Sequence, residues 1–111
     1  MIRTTLQDHV LRLTLARPEK KNALIGPMYE TLVEALERAE SDPDVHVVLF
    51  DAEGDSFSAG NDLSEFAAVA TGALSPHSMK QHLFLEALAK ATIPYVAAVQ
   101  GAAIGIGATL L

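Results

Sequence analysis

Tyr95-Val96-Ala97-Ala98-Val99-Gln100-Gly101-Ala102-Ala103-Ile104-Gly105-Ile106-Gly107 is the stretch on which the fold turns. An apolar, strand-like run, Tyr95 to Val99, passes through a glycine-rich turn into a second apolar stretch, Ala108 to Leu111. Where such a turn opens a helix, the first backbone N–H groups have no intrahelical acceptor. The helix dipole behind them favours negative charge. The charge can belong to a bound phosphate, or it can arise during a reaction on a carbonyl oxygen. The wording is not that of the common phosphate loops. It runs G-x-x-x-G-x-G rather than G-x-G-x-x-G, and it lacks Gly-Lys-Ser/Thr.

A second turn of the same kind lies upstream. Val45 to Phe50 is almost continuously apolar, which predicts a strand of a parallel sheet buried on both faces. A polar loop, Asp51 to Ser58, leads to the turn Ala59-Gly60-Asn61-Asp62 and a short helix from Leu63 to Val69. Asp62 reads as that helix's cap. If the two strands are parallel neighbours, both turns sit at one sheet edge and their N–H groups can converge. Two converging donors suit thioester chemistry, because the carbonyl oxygen gains charge as an enolate or tetrahedral species forms. Glycine at each turn lets backbone approach closely, where a Cβ would obstruct.

The remaining chain supplies a scaffold. Ile2 to Asp8 and His9 to Ala16 read as an antiparallel hairpin turning near Asp8-His9, with Leu11, Leu13 and Leu15 on one face. Arg17 to Asn22 is a polar loop. Pro27 sits at a first helical position, and Met28, Leu32, Ala35, Leu36 and Ala39 follow at helical spacing until Ser41-Asp42-Pro43-Asp44. Ser75 can cap a helix with Pro76 in its first turn. There Met79, Leu83, Phe84, Ala87, Leu88 and Ala91 form a stripe that reads as core. The order is β-β-α-β-α-α-β, followed by a helix start: an α/β chain forming one domain over residues 1–111.

Composition narrows the function. The chain has 111 residues, half of them apolar, and a formal net charge of −6. That charge argues against a nucleic-acid surface and gives no attraction to anionic membranes. Without cysteine there is no disulfide framework, thiolate nucleophile or Cys-type zinc site. No run reaches the ~18 consecutive apolar residues of a membrane span, and the first residues lack a signal-peptide core, so a cytoplasmic protein is expected. The chain stops at Thr109-Leu110-Leu111, inside an apolar element, which reads as the N-terminal part of something longer.

Three segments together carry a family resemblance: Arg17-Pro18-Glu19-Lys20-Lys21-Asn22-Ala23-Leu24, then Phe57-Ser58-Ala59-Gly60-Asn61-Asp62-Leu63, then Pro94 to Leu111. In order and spacing they resemble the N-terminal signatures of the crotonase superfamily, the enoyl-CoA hydratases and isomerases. The resemblance implies a crotonase-like α/β spiral of ββα units, cut about midway. It implies an oxyanion hole formed by the backbone N–H groups of Asn61 and Ile106. Coenzyme A, as part of the substrate rather than a cofactor, would lie along Ala23, Leu24, Ala59, Gly60, Asp62, Leu63 and Gly105. Its phosphates would lie near Lys20 and Lys21. Phe66 to Pro76 would correspond to a variable loop bordering the acyl pocket. The resemblance also implies a homo-oligomer, trimer or hexamer, and no metal.

One position departs from the hydratase pattern. Hydratases of the family carry a glutamate where this chain has Thr109, which cannot serve as a carboxylate base. The wording looks more like the isomerase branch, whose single base would lie past residue 111. Isomerisation is therefore expected ahead of hydration. A non-catalytic acyl-CoA-binding or interaction module of the same fold is the alternative, and these 111 residues are expected to be inactive alone. Other polar residues have plainer readings. Lys20 and Lys21 can be ordinary solvated charges. His9, His46, His77 and His82 show no ligand spacing. Glu65 and Glu86 read as solvated helix-face carboxylates.

Overall fold

The computed structural model describes residues 1–73 and 80–111, without the Phe66 side chain. Four strands, β1 (Ile2–Gln7), β2 (Val10–Leu15), β3 (Val47–Ala52) and β4 (Tyr95–Ala97), form one sheet in the order β1-β2-β3-β4. β1 and β2 are antiparallel, and β2–β3 and β3–β4 are parallel. The hairpin register pairs Gln7 with Val10 across a two-residue turn. Asp8 and His9 take positive φ of 52° and 67°, the twist that matches right-handed strands.

Helix α1 (Gly26–Ser41) buries its Met28, Leu32, Ala35, Leu36 and Ala39 stripe, as its spacing predicts, and Tyr29 with it. Leu11, Leu13 and Leu15 meet it from β2, and Val48 and Phe50 from β3. Helix α2 (Leu63–Ala70) precedes α3 (Gln81–Ala89), and α4 (Ile106–Thr109) is a single turn after β4. Phe84 of α3 fills the core between Tyr29 and Phe50, with ring centroids 5.7 and 6.5 Å away.

Two expectations change. β3 is not buried on both faces: Val48 and Phe50 are buried, whereas Val47, Leu49 and Asp51 are half-exposed. The cause is that α1 and Phe84 of α3 pack on the same face. The other face carries the ion pair of Arg12 with Asp51. The α3 stripe is also less core-like than its spacing suggests. Among its described residues only Phe84 is fully buried, and Leu83 is 39% exposed. The short helix packs against α1 and sends Phe84 to Phe50 of β3. The Ser75 cap and Met79, with His77, lie outside the described residues.

No helix among the described residues is long and apolar enough to cross a membrane. Nor do those residues hold a cluster of three or more His, Asp or Glu suited to a metal ion.

Candidate functional site at two glycine turns

The parallel pairing of β3 and β4, with Val48 opposite Tyr95, sends both following turns to the carboxyl edge of the sheet. Open α/β sheets bind their ligands at that edge. Past the strands the two segments stay joined. Ser58 forms a parallel bridge with Ala103, and the Ile104 N–H donates to the Ser58 carbonyl at 3.0 Å. Contact continues at the glycines. A Cβ on Gly60 would lie 2.8 Å from the Ile104 carbonyl oxygen and 3.7 Å from the Gly105 Cα. A Cβ on Gly107 would lie 2.7 Å from the Ser58 carbonyl oxygen. Contacts below about 3 Å are far inside van der Waals range, so only glycine lets these backbones approach so closely.

The direction of the Asn61 amide follows from its neighbours. The Gly60 carbonyl accepts from the Leu24 N–H at 2.8 Å, and the peptide is trans. In a trans peptide the N–H points opposite to the C=O. The Asn61 N–H therefore points away from Leu24. It has no hydrogen-bond partner among the described residues. The same reasoning applies at Ile106. The Gly105 carbonyl accepts from Ala108 and Thr109 N–H along α4, so the Ile106 N–H points back out of that helix start. It too has no partner among the described residues.

The Gly60 turn is held by side chains from far along the sequence. Buried Asn22 is the main anchor. Its Oδ1 accepts from the Arg17 N–H at 2.8 Å, and its Nδ2 donates to the Glu53 and Ser56 carbonyls at 2.8 and 2.9 Å. Ser58 Oγ donates to the Asn22 carbonyl at 2.9 Å and accepts from the Gly60 N–H at 3.1 Å. Asp62 caps α2 by accepting from the Ser64 N–H at 2.8 Å, as its position predicts. It also meets Arg17 Nη1 at 2.9 Å, in a pair whose side chains are 15% and 11% exposed. The Arg17 hydrogen bond, with the α2 N–H groups, holds the Asp62 carboxyl below the usual aspartate range.

Asn61 itself is fixed by its side chain. Tyr29 Oη donates to Asn61 Oδ1, and Asn61 Nδ2 donates to Gln81 Oε1 at 2.7 Å. Burial, then the nearby Glu65 carboxylate, push the Tyr29 phenol well above the ordinary tyrosine range, so it stays a donor. Glu65 corrects the solvated reading given by its helix position. Its two carboxylate oxygens accept from the Gly26 N–H at 3.0 and 3.1 Å. The α1 N-cap, Ile25, has no side-chain acceptor of its own, so Glu65 supplies negative charge to that helix start.

The other expected site residues fall into place unevenly. Ala23 and Leu24 are buried beside the Gly60 turn. Ala59 is joined to Lys21 by a 2.9 Å backbone bond, and Gly105 packs on Gly60. Leu63 is 82% exposed at the first turn of α2. Lys20 and Lys21 end a 3-10 turn over Pro18–Lys20 within the expected loop, and both are exposed. Glu86 forms an exposed i,i+4 pair with Lys90. His9 stacks on His46 at 4.1 Å, away from both turns. Sequence reading missed Arg17, Asn22, Tyr29 and Gln81. Asn22 stood inside a quoted motif, where it reads as one more polar residue of the loop after Lys20-Lys21. Tyr29 lay beside the Met28 stripe of α1 and was given no role.

The chain is thus an α/β domain with a mixed sheet whose two glycine turns touch at the carboxyl edge, each with an amide unpartnered among the described residues. Comparison with known proteins narrows this further. The enoyl-CoA hydratase/isomerase family model matches residues 5–111, and the chain belongs to that family. It is 36% identical over 106 residues to "Probable enoyl-CoA hydratase EchA14" of Mycobacterium tuberculosis, covering 96% of this chain and 41% of that protein. It is also 36% identical over 114 residues to enoyl-CoA delta isomerase 2 of Rattus norvegicus, covering 99% of this chain and 29% of that one. The crystal structure of an enoyl-CoA hydratase/isomerase from Pseudoalteromonas atlantica superimposes with a TM-score of 0.86. That structure is 39% identical, over 98% of this chain and 42% of the other. The fold is the crotonase fold of these relatives, and the chain spans less than half their length.

Proposed function

We propose that the protein of which this chain forms a part acts on acyl-CoA thioesters, stabilising an oxyanion with the N–H groups of Asn61 and Ile106. The observation that carries this is the backbone contact of the two glycine turns, with both amides unpartnered among the described residues. One such donor aimed at developing charge lowers the barrier by about 3 kcal/mol. Isomerisation of an enoyl double bond is the favoured reaction. Thr109 carries no carboxylate, and its hydroxyl donates to the Gly105 carbonyl at 3.0 Å within its own helix. The rat delta isomerase among the relatives agrees with that reading, while the mycobacterial hydratase name keeps hydration as the competitor.

In this reading the thioester lies across the Gly60–Asn61 and Gly105–Ile106 peptides, coenzyme A runs past Ala23, Leu24 and Leu63, and Lys20 or Lys21 meets its phosphates. The proton-transfer base lies outside these residues, and the 111 residues alone are inactive. Exposed Val96, Val99, Ile104 and Leu111, each 45% exposed or more, supply apolar surface for self-association in a cytoplasmic oligomer. Assays of the intact protein with 3-enoyl and 2-enoyl CoA thioesters test the proposal. Interconversion of the two supports the isomerase, and water addition to the 2-enoyl thioester supports the hydratase. Acyl-CoA binding without turnover leaves a binding module. No affinity for any acyl-CoA removes all three.

A further inference from the structure

The Asn61 side chain makes two hydrogen bonds that no backbone role requires. Its Oδ1 is taken by Tyr29 from α1, and its Nδ2 by Gln81 at the start of α3, at 2.7 Å. Both polar ends of the carboxamide are thus engaged within the protein. The Asn61 backbone, by contrast, is held on one side only, through the Gly60 carbonyl and the Asp62 N–H on Leu24. The preceding residue, Gly60, sits at φ 90° and offers no Cβ to restrict rotation. A peptide between a glycine and a half-exposed residue can rock about its flanking bonds unless something fixes the far side.

We infer that Tyr29 and Gln81 are positioning residues that clamp the Asn61 side chain and so hold the Gly60–Asn61 peptide with its N–H aimed at the Gly105 turn. The inference rests on the proposed role of that N–H, and it concerns the aim of the amide rather than contact with substrate. Two features make the clamp rigid. Tyr29 is fully buried and packs on Phe84, so its phenol enters from a fixed ring. Burial keeps the phenol protonated, so the donor persists across the working pH range. Gln81 follows Lys80, whose ammonium pairs with Glu30 of α1, so the start of α3 is anchored to the helix that carries Tyr29. The clamp therefore ties the amide to two helices through residues 20 and 32 positions away in sequence.

Tyr29→Phe keeps the buried ring and removes only the phenol, and Asn61→Ala keeps the backbone N–H and removes both bonds. In the 15N-labelled intact protein, the backbone amide at position 61 should gain motion in Tyr29→Phe and more in Asn61→Ala. The core amide of Val48 should stay unchanged. Turnover of an enoyl-CoA thioester should fall about tenfold in kcat for Tyr29→Phe, with KM within about twofold. The double variant Tyr29→Phe/Asn61→Ala should be no slower than Asn61→Ala alone, because both changes release one clamp. An Asn61 amide that stays rigid in both Tyr29→Phe and Gln81→Ala would overturn the inference. So would additive losses in the double variant, or a loss confined to KM. If the unmodified protein turns over no enoyl thioester, the functional reading fails, while the amide measurement still decides the clamp by itself.

Discussion

The two turns reach the same place by opposite means. The Gly60 turn is tied by side chains: Asn22, Ser58, Arg17 with Asp62, and the Tyr29–Asn61–Gln81 chain. The Gly101–Gly107 turn has almost none. Gln100 reaches the Ala52 and Gly54 carbonyls at 2.8 and 3.1 Å, the Thr109 hydroxyl reaches the Gly105 carbonyl, and the rest is backbone bonding and missing Cβ atoms. The first turn should therefore fail when side chains are removed, and the second when side chains are added. A site made of two amides needs only that both point correctly, and nothing in the chemistry demands that they be held alike.

The largest effect is expected at Gly101. Its φ is 62°, and a Cβ there would lie 1.8 Å from the Asp55 carbonyl oxygen. Backbone cannot yield as a flexible side chain can, so Gly101→Ala forces the Asp55–Ser56 and Gly101–Ala102 segments apart. A loss beyond about 4 kcal/mol is expected, enough to prevent folding of a marginally stable domain. Circular dichroism and soluble yield measure it. A well-folded Gly101→Ala protein with an unchanged melting point would remove the idea that the second turn is held by backbone proximity.

Asn22→Ala is next, and it attacks the first turn by subtraction. It strips the partner from the Arg17 N–H and from the Glu53 and Ser56 carbonyls around a fully buried residue. Leaving such groups unpaired costs about 1–3 kcal/mol each where water cannot replace the bond. A total near ~3 kcal/mol is expected, read from denaturant midpoints. Asn22→Asp should recover only part, since Oδ2 cannot donate to the two carbonyls.

Asp62 comes third and brings a pH signature. Asp62→Asn weakens the Arg17 pair but keeps a capping oxygen for α2, so about 1–2 kcal/mol is expected. The folded carboxyl titrates below its unfolded value, so its contribution is complete above the unfolded pKa of about 3.9. It fades as pH falls below that value towards the depressed folded pKa. The stability gap between the natural protein and Asp62→Asn should thus be constant near neutrality and close under acid conditions. A gap that widens as the pH drops would show that Arg17 does not stabilise the carboxylate.

The same contrast explains what could be read from sequence. Much that is local was legible: the Leu11-Leu13-Leu15 alternation, the α1 stripe and the Asp8-His9 turn, though the α3 stripe promised more burial than it has. The turn that works through glycines was visible because the absence of a side chain is itself written in the chain. Side-chain ties were not. Asn22 meets Ser56 across 34 positions and Tyr29 meets Asn61 across 32, and no local pattern encodes such a pairing. Glu65 was misread for the same reason, because its partner is the start of a different helix. β3 was expected to be covered twice because its residues are apolar. Composition reports what a strand could bury and does not say how many layers pack against it.

The smallest effect is expected at Thr109, and its smallness is informative. Thr109 is the α4 side chain that hydrogen-bonds to the second turn, through its hydroxyl on the Gly105 carbonyl at 3.0 Å. That carbonyl already accepts from the Ala108 and Thr109 N–H groups, each at 3.0 Å. The hydroxyl bond is therefore surplus, and an exposed side chain can exchange it for water. Thr109→Val, which keeps the shape, should shift stability by less than about 0.5 kcal/mol. It should also leave acyl-CoA binding unchanged in titration calorimetry of the intact protein. A loss of about 1 kcal/mol or more would mean that this turn also depends on a side chain. The division between a turn held by added bonds and one held by missing atoms would then fail at the residue where it should be clearest.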